Sequence, residues 1–210
     1  MDISSTDSSP TPVAASRWPA LLRRVVLPAV ILAWACALRV VLFSGFVLCD
    51  DRQELWTSLH VFASGPALSG QFQLRFGTWL FNVAAFKLFG ISEFGFFVTT
   101  VLMSASLSVV GYAMLLRWGY ALLPAFAAAL MIAAAPFEIL MGTVRANDVI
   151  LAWLVGLAMV ALVVLDERPV RQGLVVALLG WLGFYVKLWV VYFLPALGVH
   201  YLVEAWRCGR

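Results

Sequence analysis

A long apolar run from Val25 to Leu48, interrupted only by Arg39, is the feature that most restricts how this chain can fold. A membrane-spanning helix needs about 20 predominantly apolar residues, and this run provides them. Similar runs recur along the chain, in which 63% of the residues are apolar and 12% are charged. Soluble domains carry roughly 25% charged residues, so this sequence has too few polar side chains to cover a surface in water. The chain is therefore predicted to be an integral membrane protein.

The hydrophobic pattern predicts an all-α, polytopic protein with about six transmembrane helices. After Val25–Leu48, the predicted spans are Phe96–Leu116, Ala121–Leu140, Val149–Leu165 and two helices within Gly173–Val203 that turn near Lys187. The last segment is divided because, at about 30 residues, it is too long for one comfortable span.

The domain organisation follows from the same pattern. Residues 1–20 are predicted to be a disordered cytoplasmic N-terminus, since residues 1–16 are rich in Ser, Thr and Pro. Residues 21–210 are predicted to form one transmembrane domain, with a long first external loop at 49–95. A cleaved signal peptide ending at Ala35-Cys36-Ala37 is the weaker alternative, because apolar sequence continues well beyond it.

Positive charge predicts the orientation, since arginine and lysine concentrate in cytoplasmic loops. A cytoplasmic N-terminus and six spans leave most arginines of the short loops on the cytoplasmic side. Treating Phe76–Phe89 as a span would move Arg117, Arg168 and Arg171 to the outside. That short segment is therefore predicted to be an interfacial helix of the external loop. The predicted location is a cell inner or plasma membrane, with the chemistry on the external face.

Asp50 and Asp51 close the first apolar run, where it should emerge from the bilayer. A carboxylate held against apolar surface has a shifted pKa and can serve as a general base. Loop solvation or capping of a following helix are the simpler interpretations of the pair.

Several isolated charges are further candidate site residues. Arg39 either faces protein or a polar cavity within the membrane, or extends toward the headgroups. Lys187, in the turn between the last two predicted helices, is suited to binding phosphate. If Gly173–Val203 is one span instead, Lys187 lies near mid-membrane and needs a partner. Arg145 and Asp148 precede the fourth span, where Asp148 is a plausible N-cap and Arg145 either binds an anionic headgroup or anchors the helix. Glu138, after Pro136, is either a loop residue or a member of the same polar cluster.

Motifs of several other functional classes are absent from the sequence. It has no metal-ligand spacing of histidines or cysteines, no G-x-S-x-G, no P-loop and no dinucleotide-binding fingerprint. Its net charge of +3 is spread among short loops and does not indicate nucleic-acid binding. No cofactor is expected, although binding of a divalent metal ion by Asp50 or Asp51 is an alternative that the sequence leaves open.

Several segments resemble, in order, the N-terminal half of a polyprenyl-phosphate-sugar-dependent glycosyltransferase of the GT-C fold. The nearest likenesses are the protein-mannosyltransferase, aminoarabinose-transferase and lipopolysaccharide galacturonosyltransferase types. Phe86-Lys-Leu-Phe-Gly-Ile-Ser-Glu-Phe94 is similar to the "K-L-F-G-x-S-E-F" segment of that family. The other matching segments are Arg39, Asp50-Asp51, Arg75-Phe-Gly-Thr-Trp79, Thr143-Val-Arg-Ala-Asn-Asp148, and Gly183-Phe-Tyr-Val-Lys187 followed by Leu194-Pro195.

The resemblance implies an inverting transfer of a sugar from a polyprenyl-phosphate donor to an acceptor hydroxyl at the outer membrane surface. It implies Asp50 as the base, with Asp51 as the competing assignment. It implies Arg75, Arg145 and Lys187 as ligands of the donor phosphate, and Asp148, with Arg39 and Glu138, as supporting residues. The expected partners are the lipid-linked sugar, a lipid, glycan or protein acceptor, and membrane lipid.

Two other functions stay open. The chain resembles only half of such an enzyme, so it is alternatively a non-catalytic protein that binds a polyprenyl lipid, or half of a split enzyme with a partner subunit. A small transporter or flippase, with Arg39 and Lys187 lining a path, is less favoured because the sequence shows no internal duplication.

Overall fold

The structure is a computed structural model that describes residues 20–46, 49–66, 74–144 and 146–207. Every regular element in these ranges is a helix, which confirms the predicted all-α class. The helices are α1 (Leu27–Val41, preceded by a π-helical turn at Leu22–Val26), α2 (Cys49–Ser64), α3 (Phe76–Phe89), α4 (Glu93–Arg117), α5 (Leu122–Ala133), α6 (Pro136–Thr143), α7 (Asn147–Val164), α8 (Pro169–Phe184) and α9 (Phe193–Arg207), with a 3-10 helix at Leu188–Tyr192 before α9.

Several of these helices could span a membrane. Within the described ranges, three are long and apolar enough to do so, namely Leu22–Val41, α4 and α7. The pair α5–α6 would make a fourth if it forms one bent span. The helices α3 and α8 and the segment Val190–Val203 are apolar but shorter. Helix length thus supports three or four of the six predicted spans.

The first helix is shorter than the apolar run predicts. It ends at Val41, and the chain continues without helical structure through Gly45, whose φ of 70° lies in the left-handed region. Glycine adopts that conformation without steric cost, so the apolar run turns before Leu48 although its composition favours a longer span. Arg39 consequently lies in the last turn of α1 and not well inside the helix.

The predicted span Ala121–Leu140 is also interrupted, because α5 and α6 meet at a bend of 53°. Pro136 is the first residue of α6 and has no N–H to donate to the preceding turn. Proline also disfavours a helical conformation in the residue before it, and Ala135 has an extended ψ of 124°. The break between α8 and the 3-10 helix falls at Lys187, where the sequence predicts a turn.

The long helix α4 is the centre of the bundle and packs against α1, α3, α5, α6 and α7. It runs antiparallel to α1. At one end the Tyr112 hydroxyl donates to the Arg23 carbonyl at 3.0 Å, and at the other the rings of Phe46 and Phe97 are 4.9 Å apart. The start of α4 and the end of α1 therefore lie at the same end of the bundle, which we call the site end.

Three alanines let α1, α4 and α5 approach one another closely. Ala35, Ala105 and Ala133 are all fully buried and form one cluster where the three helices meet. Small residues allow helix backbones to pack tightly in a membrane, where apolar contact with lipid competes with apolar contact between helices. The same face of α1 carries Ile31 and, one turn beyond Ala35, Arg39.

Arg39 joins the helices around this cluster. Its guanidinium is fully buried and donates to the Ser104 hydroxyl from Nε at 2.9 Å and from Nη2 at 2.7 Å. Nη1 donates to the carbonyls of Ala35 at 3.0 Å and Ala133 at 3.4 Å. The Ser104 hydroxyl donates in turn to the Glu138 carbonyl at 3.2 Å. Arg39 therefore faces the protein interior and does not extend toward the headgroups.

Gly142 of α6 provides a test of this packing. A Cβ added there would lie against the Ser104 hydroxyl, 2.7 Å from Ser104 Cβ and 2.8 Å from Arg39 Nε. We expect Gly142→Ala to reduce the free energy of unfolding by about 1–3 kcal/mol, as overpacking does. The measurement is thermal unfolding in detergent micelles.

Gly180→Ala is the matched control, because Gly180 lies within α8 with no heavy atom within 4 Å of an added Cβ. Alanine there should leave stability unchanged or raise it by up to about 1 kcal/mol through its helix propensity. Equal effects of the two substitutions would contradict the tight packing around Arg39.

Candidate functional site

The two helices of the segment 49–95 lie at the site end of the bundle. Near the start of α3, Gly77 packs so closely on the residues after α8 that a Cβ would be 2.7 Å from Val186 Cγ2. Near the end of α3, the ring centroid of Phe86 is 6.5 Å from that of Phe96 at the start of α4. Both ends of α3 thus contact the same end of the bundle, and α2 packs along α3.

The face that α2 buries is polar. Asp51 and Ser58 are fully buried and Glu54 is 3% exposed, although α2 as a whole is no more apolar than polar. Residues three and four apart share one side of a helix, so these side chains form a stripe. The facing side of α3 is also polar, and Asn82 Nδ2 donates to the Ser58 hydroxyl at 2.9 Å. Two polar helix faces are therefore buried against each other.

Glu54 is the centre of this polar interface. It accepts a hydrogen bond from Nδ2 of Asn147, the first residue of α7. It also lines a cavity of about 10 Å³, the size of one water molecule, with Arg75, Trp79 and three hydroxyl side chains. The hydroxyl residues are Thr57, Ser58 and Thr78.

A larger cavity opens next to the first. It has a volume of about 380 Å³ and is lined by Arg75 and Lys187, which are far apart in the sequence, and by Leu74, Phe184, Tyr185, Val186 and Leu188. Both cations are half-buried. The structure therefore brings together two of the three residues that the sequence predicts to bind phosphate.

Lys187 is held by Asp148, whose Oδ1 lies 2.6 Å from its Nζ. The two side chains are 29% and 59% exposed, so the ion pair lies at the surface of the protein. Asp148 is within the first turn of α7, and the N-cap of that helix is Ala146. The N-cap role that the sequence suggests for Asp148 is therefore wrong, and its carboxylate pairs with the predicted phosphate ligand.

Aromatic rings fix the distance between the start of α3 and the end of α8. The ring centroid of Phe76 is 4.2 Å from that of Tyr185 and 5.2 Å from that of Trp181. Aromatic contacts of this kind add about 0.5–1.5 kcal/mol beyond the burial of their surface. Because Phe76 follows Arg75 and Tyr185 nearly adjoins Lys187, this packing positions the two cations relative to each other.

The other predicted site residues fall into two groups. Arg39 and Glu138 lie together within the bundle, where Glu138 is half-buried and its carboxylate attracts the Arg39 guanidinium. Asp51 is buried on α2, and the backbone of Asp50 belongs to the same helix. The side chain of Asp50 and all of Arg145 lie outside the described residues, so their predicted roles stay predictions.

Glu54 and Asn147 are site residues that the sequence analysis does not single out. A signal for Glu54 was present, because it follows Asp51 by three residues and so shares its side of a helix. Asn147 stands next to Asp148, but nothing in the sequence relates it to α2. Only folding brings the two elements together.

The arrangement of charges is one that can bind an anion beside carboxylates. Arg75 and Lys187 offer several N–H donors to a phosphate group, and Asp51 and Glu54 lie on the adjoining helix. Among the described residues, no three His, Cys, Asp or Glu side chains are close enough to hold a metal ion.

Comparison of the chain with protein-family models, with curated proteins and with solved structures gives no match. The functional argument therefore depends on the arrangement of these side chains.

The two polar contacts of the site should differ in their effect on stability. Ser58→Ala leaves the buried Asn82 amide without its acceptor, so we expect a loss of about 1–3 kcal/mol in the free energy of unfolding. Asp148→Asn breaks an exposed ion pair and should cost less than about 1 kcal/mol. Unfolding of both variants in the same detergent checks this order, and a larger loss for Asp148→Asn would contradict it.

Proposed function

We propose that this chain is a membrane glycosyltransferase that moves a sugar from a polyprenyl-phosphate donor to an acceptor hydroxyl, with inversion at the anomeric carbon. The observation that carries the proposal is the cavity that Arg75 and Lys187 line together, beside the helix that carries Asp51 and Glu54. The sequence likeness to GT-C enzymes independently suggests Arg75, Lys187 and Asp51.

The cavity is suited to the phosphate of an amphiphilic lipid. Arg75 can donate two parallel hydrogen bonds to phosphate oxygens, and Lys187 adds a point charge. The neighbouring Phe184, Tyr185 and Leu188 supply apolar surface for the first part of a prenyl chain. When the bond between the anomeric carbon and the phosphate oxygen breaks, both cations stabilise the charge that develops on the leaving phosphate.

The acidic end of α2 supplies the base in this proposal. As the acceptor oxygen forms its bond to the anomeric carbon, its proton passes to a carboxylate, and the bonding pair to the phosphate leaves with the phosphate. Asp50 or Asp51 is the proposed acceptor of that proton, as the resemblance implies. Arg145 is the proposed third cation, because it is two residues before Asn147 and three before Asp148.

The proposed topology has six spans, a cytoplasmic N-terminus and the site end on the external face. Helices α2 and α3 are then interfacial, and α8 and α9 are the last two spans. The arginines of the opposite end support this orientation through the positive-inside rule.

A transfer assay tests the proposal. Nanodiscs that carry the chain are given farnesyl-phosphate mannose and related farnesyl-phosphate sugars, and release of farnesyl phosphate is measured with an acceptor extract present. We expect release by the wild type, and a loss of about a hundredfold or more in either Asp50→Ala or Asp51→Ala, as removal of a general base gives. Arg75→Met and Lys187→Met should raise KM for the donor, while Arg75→Lys keeps part of the affinity.

Arg117→Met is the control, because Arg117 lies at the end of α4 away from the site. It should release farnesyl phosphate at the wild-type rate. The proposal would be contradicted if the wild type, Asp50→Ala and Asp51→Ala all bind the donors and none of them releases farnesyl phosphate.

A second candidate function is binding of a polyprenyl phosphate without transfer. The burial of Asp51 and Glu54 favours it, because carboxylates with 0% and 3% exposure reach an acceptor only if α2 moves. In that case Asp50→Ala and Asp51→Ala would keep the donor affinity of the wild type, and neither the wild type nor these variants would transfer sugar.

The topology makes a separate prediction. In a background with Cys36, Cys49 and Cys208 replaced by serine, Ser64→Cys at the end of α2 should react with an impermeant maleimide in intact cells. Glu167→Cys, between α7 and α8, should react only after lysis, because that turn is proposed to be cytoplasmic. Labelling of both positions in intact cells, or the reverse pattern, would refute this orientation.

A further inference from the structure

We propose that Glu54 and Asn147 are positioning residues for Arg75, and that they hold its guanidinium at the spacing from Lys187 that one phosphate group requires. This inference rests on the phosphate-binding part of the proposed function and is independent of sugar transfer. It gives a role to two polar residues that the proposed chemistry does not otherwise use.

Arg75 lines both cavities of the site. It lines the water-sized cavity together with Glu54, and it lines the larger cavity together with Lys187. Glu54 and Arg75 therefore border the same small cavity, on the side of the site where α2 packs against α3. Opposite charges attract more strongly where water is partly excluded, so the buried Glu54 carboxylate is suited to be the counter-charge of the Arg75 guanidinium.

Asn147 fixes the carboxylate. Its Nδ2 donates to Oε1 of Glu54, and Asn147 begins α7, a helix that is anchored in the core through Val149, Ile150 and Leu154. The position of Glu54 is thus set by the rigid bundle as well as by its own helix α2. A hydrogen bond to a charged group stabilises more than one between neutral groups, so this contact is suited to fixing the carboxylate.

Two adjacent residues, Asn147 and Asp148, hold the polar contacts on the two sides of the larger cavity. On the buried side, Asn147 holds Glu54, which neighbours Arg75 across the small cavity. On the open side, Asp148 pairs with Lys187. Because Asn147 and Asp148 are consecutive in the first turn of α7, one rigid helix terminus sets both the Arg75 side and the Lys187 side of the larger cavity. Such preorganisation reduces the cost of ordering the site when an anion binds.

The first measurement requires no ligand. A double-mutant cycle with Glu54→Gln, Arg75→Gln and the double variant compares melting temperatures in detergent micelles. We expect the double variant to lose less than the sum of the single losses, because each substitution removes the same interaction. Strictly additive losses would overturn the inference, whatever the protein binds.

The second measurement is affinity for farnesyl monophosphate, a short polyprenyl phosphate, in phosphatidylcholine nanodiscs. Glu54→Gln and Asn147→Asp should each weaken binding by about tenfold or more, because each removes or disrupts the charged hydrogen bond that positions Arg75. The double variant E54Q/N147D exchanges donor and acceptor, restoring both the hydrogen bond and a negative charge. It should therefore bind more tightly than either single variant.

The matched controls separate the inference from the proposed function. Farnesol and inorganic phosphate distinguish a lipid phosphate from its two parts. Arg117→Met removes a cation at the end of α4 that lies away from the site, and it should keep wild-type affinity. Failure of the exchanged pair to restore binding would overturn the positioning role, whereas failure of the wild type to bind any of these probes would overturn the proposed function itself.

Discussion

The buried guanidinium of Arg39 is the constraint on which the packing of the bundle depends. A charged group inside a membrane protein is costly unless its N–H groups are satisfied, and the partners of Arg39 come from α1, α4 and α5. Those contacts require small residues around it, which explains the alanine cluster one turn away and the glycine at the end of α6. Replacing any of these residues by a larger one would separate the helices that the arginine joins.

The site is built on this bundle and not on the segment 49–95 alone. Helix α6 packs against Arg39 and Ser104, and the chain passes from its end almost directly to the first turn of α7. That turn carries Asn147 and Asp148, which contact α2 and Lys187 respectively. The position of Lys187, one of the two cations proposed to bind phosphate, is therefore connected, through one short segment, to the most tightly packed part of the protein. A rigid support of this kind is what a preorganised anion site requires.

Much of the site was predictable because the relevant residues are rare in an apolar sequence. Lys187 is conspicuous among its apolar neighbours, and the topology predicted with the positive-inside rule has it on the same side as Arg75 and Asp148. Glu54 was harder to recognise because it is one of several charges in a polar stretch. Its importance comes from burial, and burial depends on α3, which presents Asn82 and Thr78 to the same face of α2. A pattern of single residues does not reveal that two polar faces meet.

The all-α class, the break at Lys187 and the bounds of α3 are predictable from the sequence alone, because helix propensity and apolar length act locally. The sequence did not determine where the first apolar run ends, since Gly45 turns the chain against the preference of its neighbours. It also did not determine that Arg39 would be enclosed or that Asn147 would meet Glu54. Those outcomes depend on contacts between residues far apart in the chain, and such contacts form only when the helices pack together. The packing of the helices therefore selects which of the scattered polar side chains come together in the candidate site.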